Sequence, residues 1–161
     1  MEFIAAYDAH ADAIFRYCYF KVYDRERAKD LMQETFTKTW EYLARGREVE
    51  ALRPFLYRTA HNLCVNDLVR AKAYSLDEMS DVAGFDPADT RMASPEEESE
   101  KELMLATIEK LEPEERDVLL MRYVEGLPVS EIAQILNLAP NTASVRIHRA
   151  LKHLREHLHI S

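Results

Sequence analysis

The chain is poor in residues that break regular structure: its 161 residues include only three glycines and six prolines. With 47% hydrophobic and 31% charged residues, that balance suits a soluble, helix-rich globular protein and excludes a fibrous or disordered one. No apolar run is long enough to span a bilayer. The first residues, MEFIAAYDAH, lack the basic start, apolar stretch and small-residue cleavage site of an export signal. A cytoplasmic location without membrane insertion is therefore expected. No glycine-rich phosphate loop of either common type occurs. Cysteine is limited to Cys18 and Cys64, each inside an apolar helical stripe, which reads as reduced core thiols rather than a disulfide or a metal pair. The length admits one ordinary domain or two small ones.

What is present is helical periodicity. Phe3, Ile4, Tyr7, Ala11, Ile14, Phe15 and Cys18 recur at three- and four-residue steps, predicting an amphipathic helix that ends near Val22-Tyr23. Asp24 can cap the next helix. This second helix places Ala28, Leu31, Met32, Thr35, Phe36, Thr39, Trp40 and Leu43 on its inner side and stops around Gly46, where a left-handed exit carries little strain. After the charged loop RGREVEALR, Pro54 suits a first helical position, and Leu56, Ala60, Leu63, Cys64 and Leu68 form a third stripe.

The composition then changes sharply. The stretch LDEMSDVAGFDPADTRMASPEEESEKE, Leu76 to Glu102, holds ten acidic residues, two basic ones, two prolines and a glycine, which reads as a flexible linker. Ten negative against two positive charges give the same -8 as the whole protein, so the nineteen of each sign elsewhere cancel. The acidity belongs to one segment, and the flanking units are near neutral.

At the end of that stretch, Ser94-Pro95-Glu96-Glu97 combines an N-cap serine, proline at N1 and glutamate at N3, a capping box. Leu103, Met104, Thr107, Ile108 and Leu111 give the next stripe. Pro113 starts a helix that runs through Val118 and Met121 to Gly126, and Pro128 opens another with Ile132, Ala133, Ile135 and Leu136. Asn137 tolerates the left-handed conformation a tight interhelical turn needs, and Pro140 begins the last helix. That order is a helix-turn-helix.

At 100 degrees per residue, the last helix groups Ala143, Ile147, Ala150, Leu151, Leu154 and Leu158 on one side. The opposite side presents Asn141, Val145, His148, Arg149 and Lys152, with Thr142 and Ser144 at its margins and Arg146 on the flank. Arginine pairs bidentately with guanine in the major groove, while serine, threonine and apolar side chains meet other base edges. Phosphate contacts are expected from Thr142, Arg146 and Lys152. The plainer alternative is a solvated cationic face. His148, His153, His157 and His159 invite a metal reading, but no acid or cysteine completes a set nearby, so a histidine-rich helix end is the simpler account. His61, Cys64 and Asp67 fall three residues apart on one helix, whereas a nucleophile, base and orienter normally converge from different elements. No catalytic residue, cofactor or metal is expected.

Taken in order, these segments resemble the extracytoplasmic-function (ECF) group of bacterial RNA polymerase sigma factors. AKDLMQETFTKTW, Ala28 to Trp40, is similar to the polymerase-binding segment of the family's region 2. RPFLYRTAHNLCVNDLVR, Arg53 to Arg70, is similar to its promoter-melting helix, and EPEERDVLLMRYVEGLPVSEIAQILNLAPNTASVRIHRALKHL to region 4. The resemblance implies an all-α protein with a three-helix region 2 bundle over residues 1–74, an acidic flexible linker over 75–94 and a four-helix region 4 with the helix-turn-helix over 95–161. It also implies a non-enzymatic initiation factor whose partners are bacterial core RNA polymerase, met at the clamp helices of the largest subunit and at the flap region, and promoter DNA. An anti-sigma factor is a further implied partner.

The resemblance assigns core-polymerase binding to Asp30, Gln33 and Glu34 on the exposed side of the second helix. Contacts to the -10 element fall to Arg45, Arg47, Arg53, Arg58, His61, Asn62 and Arg70, with the loop Arg45 to Leu52 forming a pocket for a flipped base. Phe55 and Tyr57 read as core rather than stacking platforms. The -35 element falls to Asn141, Thr142, Ser144, Val145, Arg146, His148, Arg149 and Lys152. The basic run VRAKAYS is short, so useful DNA affinity is expected only once polymerase holds both domains. Two other readings stay open: a self-sufficient helix-turn-helix regulator binding a palindromic operator, and an all-helical interaction protein that never touches DNA.

Overall fold

The computed structural model describes residues 2–75 and 95–158, all of whose regular elements are helical. Residues 76–94 of the acidic stretch, the Ser94 cap among them, lie outside the described residues, as does His159; the last part of that stretch, 95–102, is helical. The chain divides into two compact units.

The first unit is built on α1 (Glu2–Val22), α2 (Arg25–Ala44) and α3 (Leu52–Ser75). Tyr23 ends α1 in the left-handed conformation, φ 53°, with its N–H donating to the Tyr19 carbonyl at 2.7 Å, the single-bond form of helix stop. One residue later Asp24 caps α2, its carboxylate accepting from the Arg27 N–H at 3.1 Å. So short a connection folds α1 and α2 back on each other. Gly46, φ 80°, follows the end of α2. Ile14, Tyr17, Cys18 and Val22 of α1 meet Leu56, Tyr57, Ala60 and Cys64 of α3 in the core, where Tyr17 and Tyr57 stand edge to face at 5.6 Å. Thr35 and Thr39 are buried on α2 because each hydroxyl donates to the carbonyl one turn back, at 2.7 and 2.8 Å.

Some expected core positions lie elsewhere. Trp40 is 55% exposed, whereas Phe36, one turn earlier on α2, is the residue that takes the ring edges of Phe3 and Tyr7 of α1. Pro54 is the third residue of α3 rather than the first. Leu68 is exposed, because burial on α3 stops at Cys64 and none of residues 65–73 is buried.

The second unit comprises α4 (Pro95–Glu109), α5 (Pro113–Leu119), a π-helical turn (Leu120–Val124), α6 (Val129–Leu136) and α7 (Pro140–His157). Proline stands first in α4, α5 and α7, where its missing N–H has no intrahelical partner to lose. The π turn departs from the regular helix expected up to Gly126. Five consecutive residues, Asp117 to Met121, are buried, which an ordinary helix cannot turn to one face. The wider turn, with Glu125 N–H on the Leu120 carbonyl and Leu127 N–H on that of Met121, both at 2.9 Å, absorbs the mismatch. On α4, Thr107 and Ile108 are buried, as is Leu111 just past its end, while Leu103 and Met104 are exposed, so only the last part of the stripe reaches the core.

Between α6 and α7, Asn137 takes φ 55° and the Leu138 N–H donates to the Ala133 carbonyl at 2.8 Å, a Schellman closure with asparagine in the place usually held by glycine. Replacing Asp24 by alanine removes an N-cap bond and should lower stability by about 1 kcal/mol. A denaturant midpoint for the full chain that does not move would show that α2 starts without this cap.

Candidate nucleic-acid interface

Burial of Ala143, Ile147, Ala150 and Leu154 fixes the rotation of α7. The alanines let its backbone approach α5, the helix it chiefly packs on. The side left bare carries Asn141, Thr142, Ser144, Val145, His148, Arg149 and Lys152, all exposed. Arg146 differs: it is half-buried and its guanidinium lies 3.9 Å from the Glu114 carboxylate of α5. A second link from α5 joins Glu115 to the His153 ring, and His157 Nδ1 lies 2.8 Å from the His153 carbonyl oxygen. These bonds engage both rings of the spacing that invited a metal reading. Among the described residues no group of three histidine, cysteine or carboxylate side chains could hold a metal.

In the first unit, Asp30, Gln33 and Glu34 are exposed together on α2. Arg45 and Arg47 are exposed after its end, and the Arg47 guanidinium sits 5.2 Å over the Tyr42 ring, a cation–π contact that orders the loop. Tyr42 in turn packs at 4.9 Å on Phe55, which is half-buried, while Tyr57 is fully in the core. Arg53, Arg58, Asn62 and Arg70 are exposed along α3.

His61 is not with them. It is half-buried, and its Nδ1 and the Tyr17 hydroxyl are hydrogen-bonded at 3.1 Å. Burial, reinforced by the Lys21 ammonium, pushes its imidazole from the ordinary 6.5 down to about 4. An ion pair from Arg27 of α2 to Asp67 fastens the next turn of α3. Sequence reasoning also missed an apolar component of the surface: Val65, Leu68 and Val69 are exposed beside Arg58 and Asn62. The signal was present in the spacing, since Arg58, Asn62, Val65 and Val69 succeed one another by four, three and four residues, opposite the buried Leu56, Ala60 and Cys64.

An all-helical chain of two units, one ending in a helix-turn-helix with a bare polar and cationic recognition side, defines a DNA-reading protein. Comparison with known proteins makes this specific. Residues 6–74 match the family described as Sigma-70 region 2, and residues 101–154 match Sigma-70, region 4. RNA polymerase sigma factor YlaC of Bacillus subtilis is 29% identical over 156 residues, spanning 94% of this chain and 89% of that protein. ECF RNA polymerase sigma factor SigL of Mycobacterium tuberculosis is 27% identical over 155 residues, spanning 94% and 85%. Among solved structures, the sigma factor RpoE in complex with the anti-sigma factor NepR from Bartonella quintana has the same fold, with a TM-score of 0.77 at 17% identity over 99% of this chain and 98% of that one. The chain belongs to the ECF group of the sigma-70 family. It is a non-enzymatic factor that directs transcription initiation by RNA polymerase. Among the described residues no helix is long and apolar enough to cross a membrane.

The environment of His61 has a pH consequence. Its proton is bound more weakly in the fold than in the open chain, so the stability it supports is complete above pH 6.5 and is lost as pH falls from there through about 4. The loss is at most about 1.4 kcal/mol per pH unit. Denaturant unfolding of the native chain and of His61→Gln across that window should give a flatter profile for the variant. Parallel profiles would place the ring in water.

Proposed function

We propose that the first unit (residues 1–74) captures bacterial core RNA polymerase and opens the -10 element, while the last (95–161) reads the -35 element, with residues 75–94 as their tether. Asp30, Gln33 and Glu34 pair with basic side chains of the clamp helices of the largest subunit and set register; the last unit also meets the flap region. Arg45, Arg47, Arg53, Arg58, Asn62 and Arg70 hold the opened strand by its backbone, and Val65, Leu68 and Val69 give its unstacked bases an apolar surface. His61 serves this face from below, by holding α3 to Tyr17. On α7, Arg149 reads a base edge with Asn141, Ser144, Val145 and His148 around it, and Thr142, Arg146 and Lys152 take phosphates.

The observation that carries this reading is the joint exposure of the Arg149 side of α7 opposite a fully buried stripe, in a chain whose two family matches occur in promoter-reading order. The complexes of RpoE with the anti-sigma factor NepR and of CnrH with the cytosolic domain of CnrY support an anti-sigma partner for this chain too. Such a partner, like polymerase and DNA, is met in the cytoplasm.

Run-off transcription with purified core polymerase and a promoter library tests the assignment: transcripts should depend on the added protein. Equal footprints with and without polymerase would instead favour a free-standing regulator. Arg149→Ala should cost about 1 to 3 kcal/mol at one -35 base pair and relax preference there; an unchanged base preference would remove the residue from the reading set. Glu34→Lys should weaken polymerase capture and leave DNA binding by the last unit as it was. Equal capture by native and variant chains would move the polymerase contact off α2.

A further inference from the structure

Below the exposed face of α3, two thiols meet. Cys18 of α1 and Cys64 of α3 are both reduced, both 0% exposed, and hydrogen-bonded to each other. Ile14, Leu56 and Ala60 belong to the same buried core, but charge reaches it as well. Lys21, one turn beyond Cys18 and itself only 6% exposed, brings a cation into the same layer, and Arg27 brings a second. The hydrogen bond from Cys18, with the smaller pull of Lys21 and Arg27, holds the Cys64 thiol below its usual pKa although burial pushes it up.

We propose that Cys18 and Cys64 are a redox-modification site, in which Cys64 attacks a small hydroperoxide and Cys18 resolves the product as a disulfide between α1 and α3. In the first step the Cys64 thiolate displaces hydroxide from hydrogen peroxide, the O–O bond breaks, and the sulfur becomes a sulfenic acid. In the second the Cys18 thiol displaces that hydroxyl as water, giving the S–S bond; sulfur is oxidised and peroxide reduced. The fold offers a route to the buried pair. Past Cys64 no residue through position 73 is buried, and the Arg27–Asp67 ion pair on the next turn is itself partly exposed. Local opening of α3 from that side is therefore cheap in lost burial. The disulfide closes a loop containing all of α2 and staples α3 to α1, which restricts the unfolded chain and ends that opening.

The test uses the full chain, treated with hydrogen peroxide under native conditions, then alkylated, denatured and digested for mass spectrometry. The expected product joins the Cys18 and Cys64 peptides with loss of two hydrogens, is undone by dithiothreitol, and melts at a higher Tm than the reduced chain. Cys18→Ala, checked for native helicity by circular dichroism, should stop at a sulfenic acid on Cys64 that dimedone traps. Two thiols still open to alkylation after peroxide, a bond that forms only in denaturant, or Cys64 over-oxidised beside an unreacted Cys18 would each overturn the proposal. None of these readouts involves polymerase or DNA, so they stand apart from the transcription assays.

Discussion

The burial of one stripe of α7 decides everything its other side can do. Ala143 and Ala150 are small enough to bring the helix backbone close to its neighbours, and Ile147 and Leu154 fill the space between. A rotation by a single residue, about 100 degrees, would bury Ser144 or His148 and push apolar side chains into water. The Schellman closure at Asn137 adds the second constraint, because it sets where α7 begins relative to α6. With rotation and entry both fixed, Arg149 faces outward without a bond to any other described residue to hold it there. The same logic governs α3, where Leu56, Ala60 and Cys64 turn inward and Arg58 and Asn62 are what remains.

Electrostatics limits what these faces achieve alone. Of the ten acidic residues between Leu76 and Glu102, the five glutamates from Glu96 on stand in α4, so the second unit over 95–161 carries thirteen acidic against eight basic residues, a net -5, while residues 1–75 are near neutral; neither unit attracts DNA from a distance. Locally, α5 subtracts further: Glu114 lies by Arg146 and Glu115 holds His153. Few phosphates can be neutralised, and counterion release, the main source of sequence-independent affinity, is small. A protein built this way gains selectivity at the expense of free binding. Contacts too weak for capture become adequate when a larger enzyme holds both units and raises the effective concentration of each element.

Much of the fold was legible because it rests on short-range signals. Asp24, Gly46, Pro113, Gly126, Asn137 and Pro140 each act within one turn of their own position, and the structure uses each where local chemistry predicts. What was not legible depended on neighbours distant in sequence. Trp40 continues the stripe of α2 and is exposed, whereas Phe36, one turn earlier, takes the ring edges of Phe3 and Tyr7. The π turn answers the packing of Val118 to Met121, a demand no propensity records. His61 sits in sequence among polar residues expected to face DNA, yet Tyr17, 44 positions away, draws it inward. Exposed valines were the hardest to see, since at helical spacing a valine and a core residue look alike.

Those valines pose a conflict that the proposed promoter-opening role would resolve. Exposed apolar side chains on a free protein invite association, and a helix that needed only stability would carry polar residues at 65, 68 and 69. Opening a duplex has a different requirement, because unstacked bases lose apolar contact and an apolar surface beside cations restores it. In the proposed role the C-terminal half of α3 gives up burial for such a surface, while the edge-to-face pair of Tyr17 and Tyr57, the His61 bond and the Arg27–Asp67 link hold the helix to its neighbours. Each of these anchors sits next to the face it supports. Opposite its bare side the helix is held by unusually polar contacts: the core of this unit contains a lysine and two thiols, with a half-buried histidine at its edge, where a simple bundle would hold leucine.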